Sequence, residues 1–377
     1  MSARIATFMI IVLGVNGYIG WHLQVFLTHL LGPWFNGIIY WICLWLVAFS
    51  YLLSWFGSKI WHANVSRIFK IIGSYWFSVM QYGILLLPLT DLAAVILYYT
   101  SVPANTFIPL LGWLDLLVFG LIMVLGIYNA KSPVIRKYEV TLPKKAGDWK
   151  QLRIAVASDI HLGNIVGNRH LRKLVDQVNR LQPDLILLPG DIIDDDIAPF
   201  IRYDMGRLMG QLQAPLGIYA VLGNHEYIGG HIPAFVEQMK GIGIRVLMDE
   251  VVHIADRLYI VGRKDKTVER TADGRKPLIA LLEEVKAQQP IIVMDHQPYH
   301  LDKAAEAGVD VMLSGHTHRG QMAPNHLITR RLFELDWGYL RKGNLHAIVS
   351  SGFGTWGPPV RLGSRSEIIE LTIHFTQ

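Results

Sequence analysis

Between Thr7 and Tyr128 the sequence carries only five charged side chains, Lys59, Arg67, Lys70, Asp91 and Asp115. So long a run with so few charges leaves the backbone little choice. In lipid no water satisfies N–H and C=O groups, so an apolar segment must close its own hydrogen bonds, as a helix does. Four stretches, near 6–31, 37–57, 76–99 and 106–128, exceed the ~18 apolar residues that cross a bilayer. The apolar pattern of the third already starts at Ile68, which predicts an earlier, interfacial start for that helix. No small-residue cleavage site closes the first stretch and three more follow it, so it is expected to be an anchor rather than a cleaved leader.

Positive charge predicts the orientation. The loops near 32–36 and 100–105 carry none, whereas Lys59, Arg67 and Lys70 lie between the second and third stretches. Lys131, Arg136, Lys137, Lys144 and Lys145 follow the fourth. The positive-inside rule then places both termini in the cytoplasm, and an even number of spans agrees with their lying on one side. The net charge of +5 is assigned to these flanks rather than to a nucleic-acid surface. The single cysteine, Cys43, excludes an intramolecular disulfide and makes a cysteine metal site implausible. Asp91, Asp115 and His22 lie roughly 12 Å inside their helices at the helical rise. They are expected to meet as a polar cluster, with simple interhelical hydrogen bonding as the alternative.

The domain reading is a membrane domain over 1–130, a linker over 131–150 with a short strand at 134–142, and an α/β domain over 151–377. Strands are predicted at 152–158, 185–188, 217–222, 291–294 and 309–313, near 244–248, 251–255 and 258–262, and near 345–350 and 366–374. Helices are predicted at 169–182, 200–213, 233–242, 276–288 and 300–307; in the first, Leu171, Leu174, Val175 and Val178 share one face. Strands separated by helices indicate a layered α/β fold with a mixed sheet.

Five of these apolar runs end in polar residues of one kind. They are Asp159-Ile160-His161, Gly190-Asp191, Gly223-Asn224-His225-Glu226, Asp295-His296-Gln297-Pro298 and Gly315-His316-Thr317-His318. In open α/β sheets ligands collect outside the carboxyl ends of strands. The spacing therefore predicts that Asp159, His161, Asp191, Asn224, His296, His316 and His318 converge. Seven nitrogen and oxygen donors are too many for one ion and suit two divalent metal ions sharing a carboxylate. Mn, Fe and Zn stay open, and Mg alone is disfavoured. Glycines before Asp191, Asn224 and His316 are expected to let the backbone turn sharply toward the ions. A lone D-x-H or G-H-T-H is more often a satisfied loop or core histidine; the repetition carries the reading.

These blocks resemble the calcineurin-like metallophosphoesterases over about residues 150–375, whose D-x-H, G-D-x-x-D, G-N-H-[ED], H and G-H-x-H motifs stand here at Asp159–His161, Gly190–Asp194, Gly223–Glu226, His296 and Gly315–His318. The resemblance implies a four-layer α/β/β/α sandwich, placed here after an N-terminal four-helix transmembrane domain, and a dimetal phosphoesterase site. By motif, Asp159, His161 and His318 would hold one metal, Asn224, His296 and His316 the other, and Asp191 would bridge them. His225 would contact the phosphate and assist the leaving group. The helices, H-Q-P, G-H-T-H-x-G-Q and the glycine-rich tail look like the membrane-associated bacterial branch, which implies an inner-membrane protein. Some members of that branch cleave lipid pyrophosphates such as UDP-diacylglucosamine. Arg319 departs from the glycine common there and is expected either to reach a substrate phosphate or to salt-bridge a neighbouring loop. Arg361 and Trp356 are candidates for lining the substrate pocket, and Glu226 and Asp194 for orienting ligands. His231, His253, His300, His326 and His346 read as structural or surface histidines.

The chemistry expected is in-line attack on phosphorus by a water held between the ions, with Asp191 beside it and His225 aiding the leaving oxygen. A membrane-anchored phosphoesterase for a membrane lipid or lipid-linked phosphodiester or pyrophosphate is the favoured function. A phosphoesterase for a soluble substrate, merely localised by the helices, is the second. A non-enzymatic sensor or transporter with a regulatory metal domain is the third, and the full ligand set with His225 counts against it. No aromatic-rich basic groove is evident, which ranks nucleic acid last.

Overall fold

The computed structural model describes residues 3–57, 60–271 and 274–376, so Lys59, one of the orienting charges, lies outside the described residues. The chain folds as two compact units, residues 1–126 with 357–360, and residues 127–356 with 361–377.

The helices of the apolar half are α1 (Ala3–Leu31), α2 (Gly37–Ala48), α3 (Ser50–Gly57), α4 (Ala63–Tyr98) and α5 (Ala104–Lys131). The α1, α4 and α5 segments are each long and apolar enough to cross a membrane. At 36 residues, α4 is ~54 Å long against a ~30 Å hydrocarbon core, so its first turns extend beyond the apolar stretch as expected. The second expected span is not one straight helix: α2 and α3 are bent by 60°. At the break Ser50 Oγ donates to Val47 O at 2.6 Å, competing with the backbone ladder. Ser54 and Ser66 then tie α3 to α4, each hydroxyl donating to the other's carbonyl at 2.8 and 2.9 Å. Gly73 gives the room, since a Cβ there would lie 2.4 Å from the Tyr51 nitrogen. The unit thus offers three spans, or four if the bent pair crosses as one. Within it, Tyr18 Oη donates to Asp91 Oδ2 at 2.5 Å and His22 Nε2 lies 3.1 Å from Asp91 Oδ1. Asp115 takes its hydrogen bond from Thr90 Oγ1 at 2.7 Å instead of joining that pair directly.

The α/β unit opens with β1 (Val134–Leu142), the short strand expected there. All nine of its residues pair in parallel with β12 (Glu367–Phe375). Next to β12 lie β2 (Gln151–Val156), β3 (Leu185–Pro189), β4 (Ile218–Val221) and β5 (Ile244–Leu247), in the order β1-β12-β2-β3-β4-β5. The second sheet contains β6 (Glu250–Ile254), β7 (Leu258–Gly262), β8 (Ile291–Met294), β9 (Val311–Ser314), β10 (Gly338–Lys342) and β11 (Leu345–Val349), in the order β10-β11-β9-β8-β7-β6.

Alternation along the strands builds the layers. Leu152, Ile154, Leu185 and Leu187 meet Ile260, Ile292 and Leu313 between the two sheets. The intervening Ala155, Ile186 and Leu188 face an outer core with α6 (Asn168–Arg180), whose Leu171, Leu174, Val175 and Val178 are buried together. On the far side Val293 and Met312 pack with Leu301 and Ala304 of α12 (Leu301–Glu306). Helix, sheet, sheet and helix follow in sequence, the four layers expected. The helix expected over 200–213 is split into α7 (Ala198–Arg202) and α8 (Met205–Met209) by Asp204, whose φ of 49° interrupts the α-helical path. After β4 come α9 (Asn224–Gly229) and α10 (Ile232–Gly241). The helix expected over 276–288 shrinks to α11 (Leu278–Leu281), beyond which i→i+3 bonds such as Val285 N–H to Leu282 O replace the α ladder. Neither α13 (His326–Leu332) nor β10 was expected.

Candidate metal centre

The structure brings all seven expected donor residues together beyond the carboxyl ends of five strands. Asp159 and His161 follow β2, Asp191 follows β3, Asn224 opens α9 after β4, His296 follows β8, and His316 and His318 follow β9. Their side chains form two adjoining groups. In one, His161 Nε2 lies 3.0 Å from His318 Nε2, which lies 3.5 Å from Asp159 Oδ1. In the other, Asn224 Oδ1 lies 3.2 Å from His296 Nε2 and 2.8 Å from His316 Nδ1. Asp191 Oδ2 stands between them, 3.8 Å from His161 Nε2 and 3.1 Å from His296 Nε2.

The backbone is bent hard to achieve this. Asp159, His161, Asp191, His316 and His318 have φ between 48° and 70°, a region costly for residues with a Cβ and typical of functional loops. Gly190, at φ 86°, makes the sharp turn expected of it. Gly223 and Gly315 are required for a different reason. A Cβ on Gly223 would sit 2.1 Å from Asp191 Oδ1, and one on Gly315 would sit 2.1 Å from Asp159 Oδ2. The Asp191 and Asp159 carboxylates occupy the space a side chain would need.

Further contacts fix the donors. The Glu226 carboxylate accepts from the backbone N–H groups of Asp191, Ile193 and Gly223 at 3.1, 3.0 and 2.7 Å, tying the β3 and β4 loops together. His296 Nδ1 lies 2.8 Å from Pro189 O, which places its proton there and leaves Nε2 as the donor atom. Asp159 accepts from the Ser158 hydroxyl and, at 2.8 Å, from the His316 N–H. Asp191 Oδ1 accepts the His225 N–H at 2.9 Å.

The donor set fits divalent ions. Lone pairs from imidazole, amide and carboxylate face one another at hydrogen-bond distance, an arrangement a cation relieves. Burial pushes Asp159 up to about 6 and lowers His161 and His316 to about 4. For Asp191, burial is outweighed by His296, and the carboxyl is held below its ordinary range. Neutral His161 and His316 rings beside an ionised Asp191 are the protonation states that metal binding requires. His296 is the exception among the rings: burial opposes its charge, but the carboxylates of Asp191 and Asp159 push it well above the ordinary histidine range, so a metal taken up there would displace its proton.

His225 stands beside this cluster, its ring centroid 4.6 Å from that of His161. Its Nδ1 lies 2.7 Å from Asp195 Oδ1 and 3.9 Å from Asp194 Oδ1. Burial opposes protonation, but the hydrogen bond to Asp195 and the charges of Asp191, Asp195 and Asp194 push His225 up to about 9. Asp194 was a candidate for orienting ligands; the closer carboxylate to His225 is its neighbour in the Asp194-Asp195-Asp196 run, for which no role was expected.

A cavity of about 320 Å³ opens over the centre, lined by Asp191, Asn224, His225, His316, Phe333 and Trp356 among others. Trp356 was a candidate for that wall; Phe333, Thr329 and Gln321, which also line it, were not. Arg361 does not reach it. Fully buried behind His318, its Nη2 lies 2.6 Å from Gly354 O and 3.2 Å from both Gly352 O and His318 Nδ1. Arg319 is also turned aside, its guanidinium 4.0 Å from the Trp337 ring centroid. Stacking on an aromatic face competes with either role expected of it.

The family model described as calcineurin-like phosphoesterase matches residues 152–320. A "transmembrane protein with metallophosphoesterase domain" from Bos taurus is 32% identical over 276 residues, covering 69% of this chain and 62% of that protein. Its namesake from Danio rerio is 28% identical over 272 residues, with the same coverage of each. An uncharacterized metallophosphoesterase of Aquifex aeolicus is 33% identical over 249 residues, covering 63% of this chain and 91% of that protein. The chain thus spans about 62% of the length of the two vertebrate relatives.

Proposed function

The chain belongs to the calcineurin-like phosphoesterase family, and from that premise we propose that it is a membrane-anchored, metal-dependent hydrolase of a phosphodiester or pyrophosphate carried on a lipid. The rim of the cavity carries the lipid part of this reading. Thr329 of α13 and the following Phe333 line the cavity, while Leu327, Ile328 and Leu332 of the same helix are 53, 59 and 65% exposed. Trp356, on the cavity wall, is 58% exposed. Large apolar side chains around a charged centre are poorly suited to water and well suited to a lipid chain. Arg330 and Arg331 on α13 suit anionic headgroups.

Two divalent ions, held by Asp159, His161 and His318 and by Asn224, His296 and His316 with Asp191 between them, would neutralise phosphoryl charge and make a water nucleophilic near neutral pH. His225, kept protonated by Asp195, would give its proton to the leaving oxygen. Its backbone N–H holds Asp191 Oδ1, which leaves Oδ2 to the cluster. Phe333 and Trp356 would restrict water at the scissile bond. The basic residues after α5 support a cytosolic position for this unit, at the inner membrane in a bacterial host.

The test uses the full chain in mixed micelles with added Mn, assayed on a lipid pyrophosphate and on bis(p-nitrophenyl) phosphate. The expected kcat/KM is about tenfold or more higher for the lipid. Equal efficiency on both, unaffected by diluting lipid with detergent, would make the helices mere localisation. No turnover of any phosphate ester by the metal-loaded chain would remove the enzymatic reading.

A further inference from the structure

A second cleft, about 460 Å³ in volume, lies in the α/β unit on the outer face of the β6–β11 sheet. Val293 and Met312, which point away from the core between the sheets, form its floor, and Leu278 of α11 and Ala304 of α12 flank it. The end of β8 divides here. Asp295 turns into this cleft, and the next residue, His296, turns into the donor cluster.

The polar side of the cleft is built around an imbalance of charge. Arg263 Nη1 lies 2.8 Å from Asp295 Oδ2, and Arg275 Nη2 contacts the same oxygen. Two guanidiniums, with side chains only 11 and 5% exposed, thus share one carboxylate. Among the described residues the Nε atoms of both arginines and Asp295 Oδ1 are buried without a hydrogen-bond partner. Burial also draws the Arg263 guanidinium below its ordinary value. Lys303 adds a further cation at the rim, whereas the lining Glu269 and Glu306 are exposed. The buried Asp249 acts on Arg263 from farther off. Among the described residues, though, the one carboxylate paired directly with the two guanidiniums is Asp295, and their planar forks suit phosphate oxygens. The floor beyond it is hydrocarbon.

We propose that this cleft binds a phosphate monoester borne on an apolar chain, with the phosphate against Arg263, Arg275 and Lys303 and the chain over Val293, Met312 and Leu278. The site is separate from the metal centre and needs no turnover there. The phosphate and the apolar chain make distinct contributions, so a lipid can be told from free phosphate by experiment.

The full chain in neutral maltoside detergent, with EDTA present to silence phosphate binding at the metal centre, would be titrated with lauroyl lysophosphatidate, with dodecanol and with inorganic phosphate. A photoreactive lysophosphatidate would map the contact. The expected result is saturable binding of the lysophosphatidate, at least about tenfold tighter than either fragment, with crosslinks in the peptides spanning 276–312. Arg275→Met should weaken binding about tenfold or more. Because that change alters a buried pair, Lys303→Ala at the exposed rim and Ala307→Trp, which fills the cleft, repeat the test with melting temperature monitored. Equal affinity for inorganic phosphate would overturn the lipid ligand. Binding unchanged in Lys303→Ala and Ala307→Trp, or crosslinks elsewhere, would overturn the site.

Discussion

Asp195 Oδ1 lies 2.7 Å from His225 Nδ1, closer by more than an ångström than the 3.9 Å contact from Asp194 Oδ1. The shorter contact makes Asp195 the direct hydrogen-bond partner of His225. The histidine is pushed up to about 9, above the ordinary value of 6.5. A raised histidine contributes stability fully below its unfolded pKa and loses it as pH rises through the folded one. That contribution is therefore complete below pH 6.5 and gone above about 9. Asp195→Asn removes the hydrogen-bonded charge, so the alkaline limb of the pH–kcat profile should fall by about one unit. Asp194→Asn should move it less. A limb that shifts with Asp194→Asn and not with Asp195→Asn would reverse the pairing.

Asp191 Oδ2 lies within 4 Å of a ring nitrogen in each donor group, His161 Nε2 and His296 Nε2. Asp191→Asn keeps the shape and removes the charge. Turnover should drop about a thousandfold or more, and metal content by mass spectrometry should fall with it. Chelation of the unmodified chain should also lower its melting temperature, because metal binding favours the folded state. A chelated protein with unchanged turnover would exclude the metal-dependent reading.

The donor residues were legible in the sequence because each ends an apolar run, and a strand's direction tells where its end will point. The layers were legible too, since alternation in β2, β3, β8 and β9 separates residues of the inner core from those of the outer ones. Other features had no such signal. A run of three aspartates carries no register, so nothing in it marked Asp195 as the one to meet His225. Arg361 reads as exposed in a glycine- and proline-rich loop, because nothing local reveals that the loop folds beneath His318. The α2–α3 break comes from one serine hydroxyl inside an apolar run. Helix α13 escaped notice because its apolar side chains face outward and leave no core-facing pattern. The strand expected at 134–142 forms with those bounds, but its place in the sheet was hidden because its partner, the last strand of the chain, is more than 230 residues away in sequence.

Arg361 holds the tail loop by hydrogen bonds to the carbonyls of Gly352 and Gly354 and to Ser364 Oγ. Arg361→Met would leave buried carbonyls unanswered, at about 1–3 kcal/mol for each group. The melting temperature should fall, and turnover with it as His318 loses its backing. Arg361→Lys should not rescue either, because one ammonium cannot reproduce the planar fork. Full rescue by lysine would reduce the role of Arg361 to charge alone.

Gly223 and Gly315 offer a sharper test of the donor geometry, since a methyl group at either meets a ligand carboxylate at 2.1 Å. Gly223→Ala and Gly315→Ala should each weaken metal binding about 10–100-fold, as displaced ligands do. Gly230 has open space around it but a φ of 71°, so Gly230→Ala should cost about 1 kcal/mol of backbone strain and leave metal binding intact. Metal titration and thermal melting on the three variants separate the two causes. Equal metal affinity in all three would mean that the carboxylates are free to move aside.

The exposed leucines of α13 separate lipid recognition from chemistry. Leu327 and Leu332 are more than half exposed, so an aspartate at either has little effect on stability. Both lie beside a cavity whose reacting groups they do not touch. In Leu327→Asp with Leu332→Asp, kcat/KM for a lipid pyrophosphate should fall about tenfold or more, mainly through KM. Turnover of bis(p-nitrophenyl) phosphate should change by less than about twofold. A parallel loss on both substrates would mean that α13 supports the centre itself rather than the lipid, and no loss on either would leave the apolar rim without a part in substrate binding.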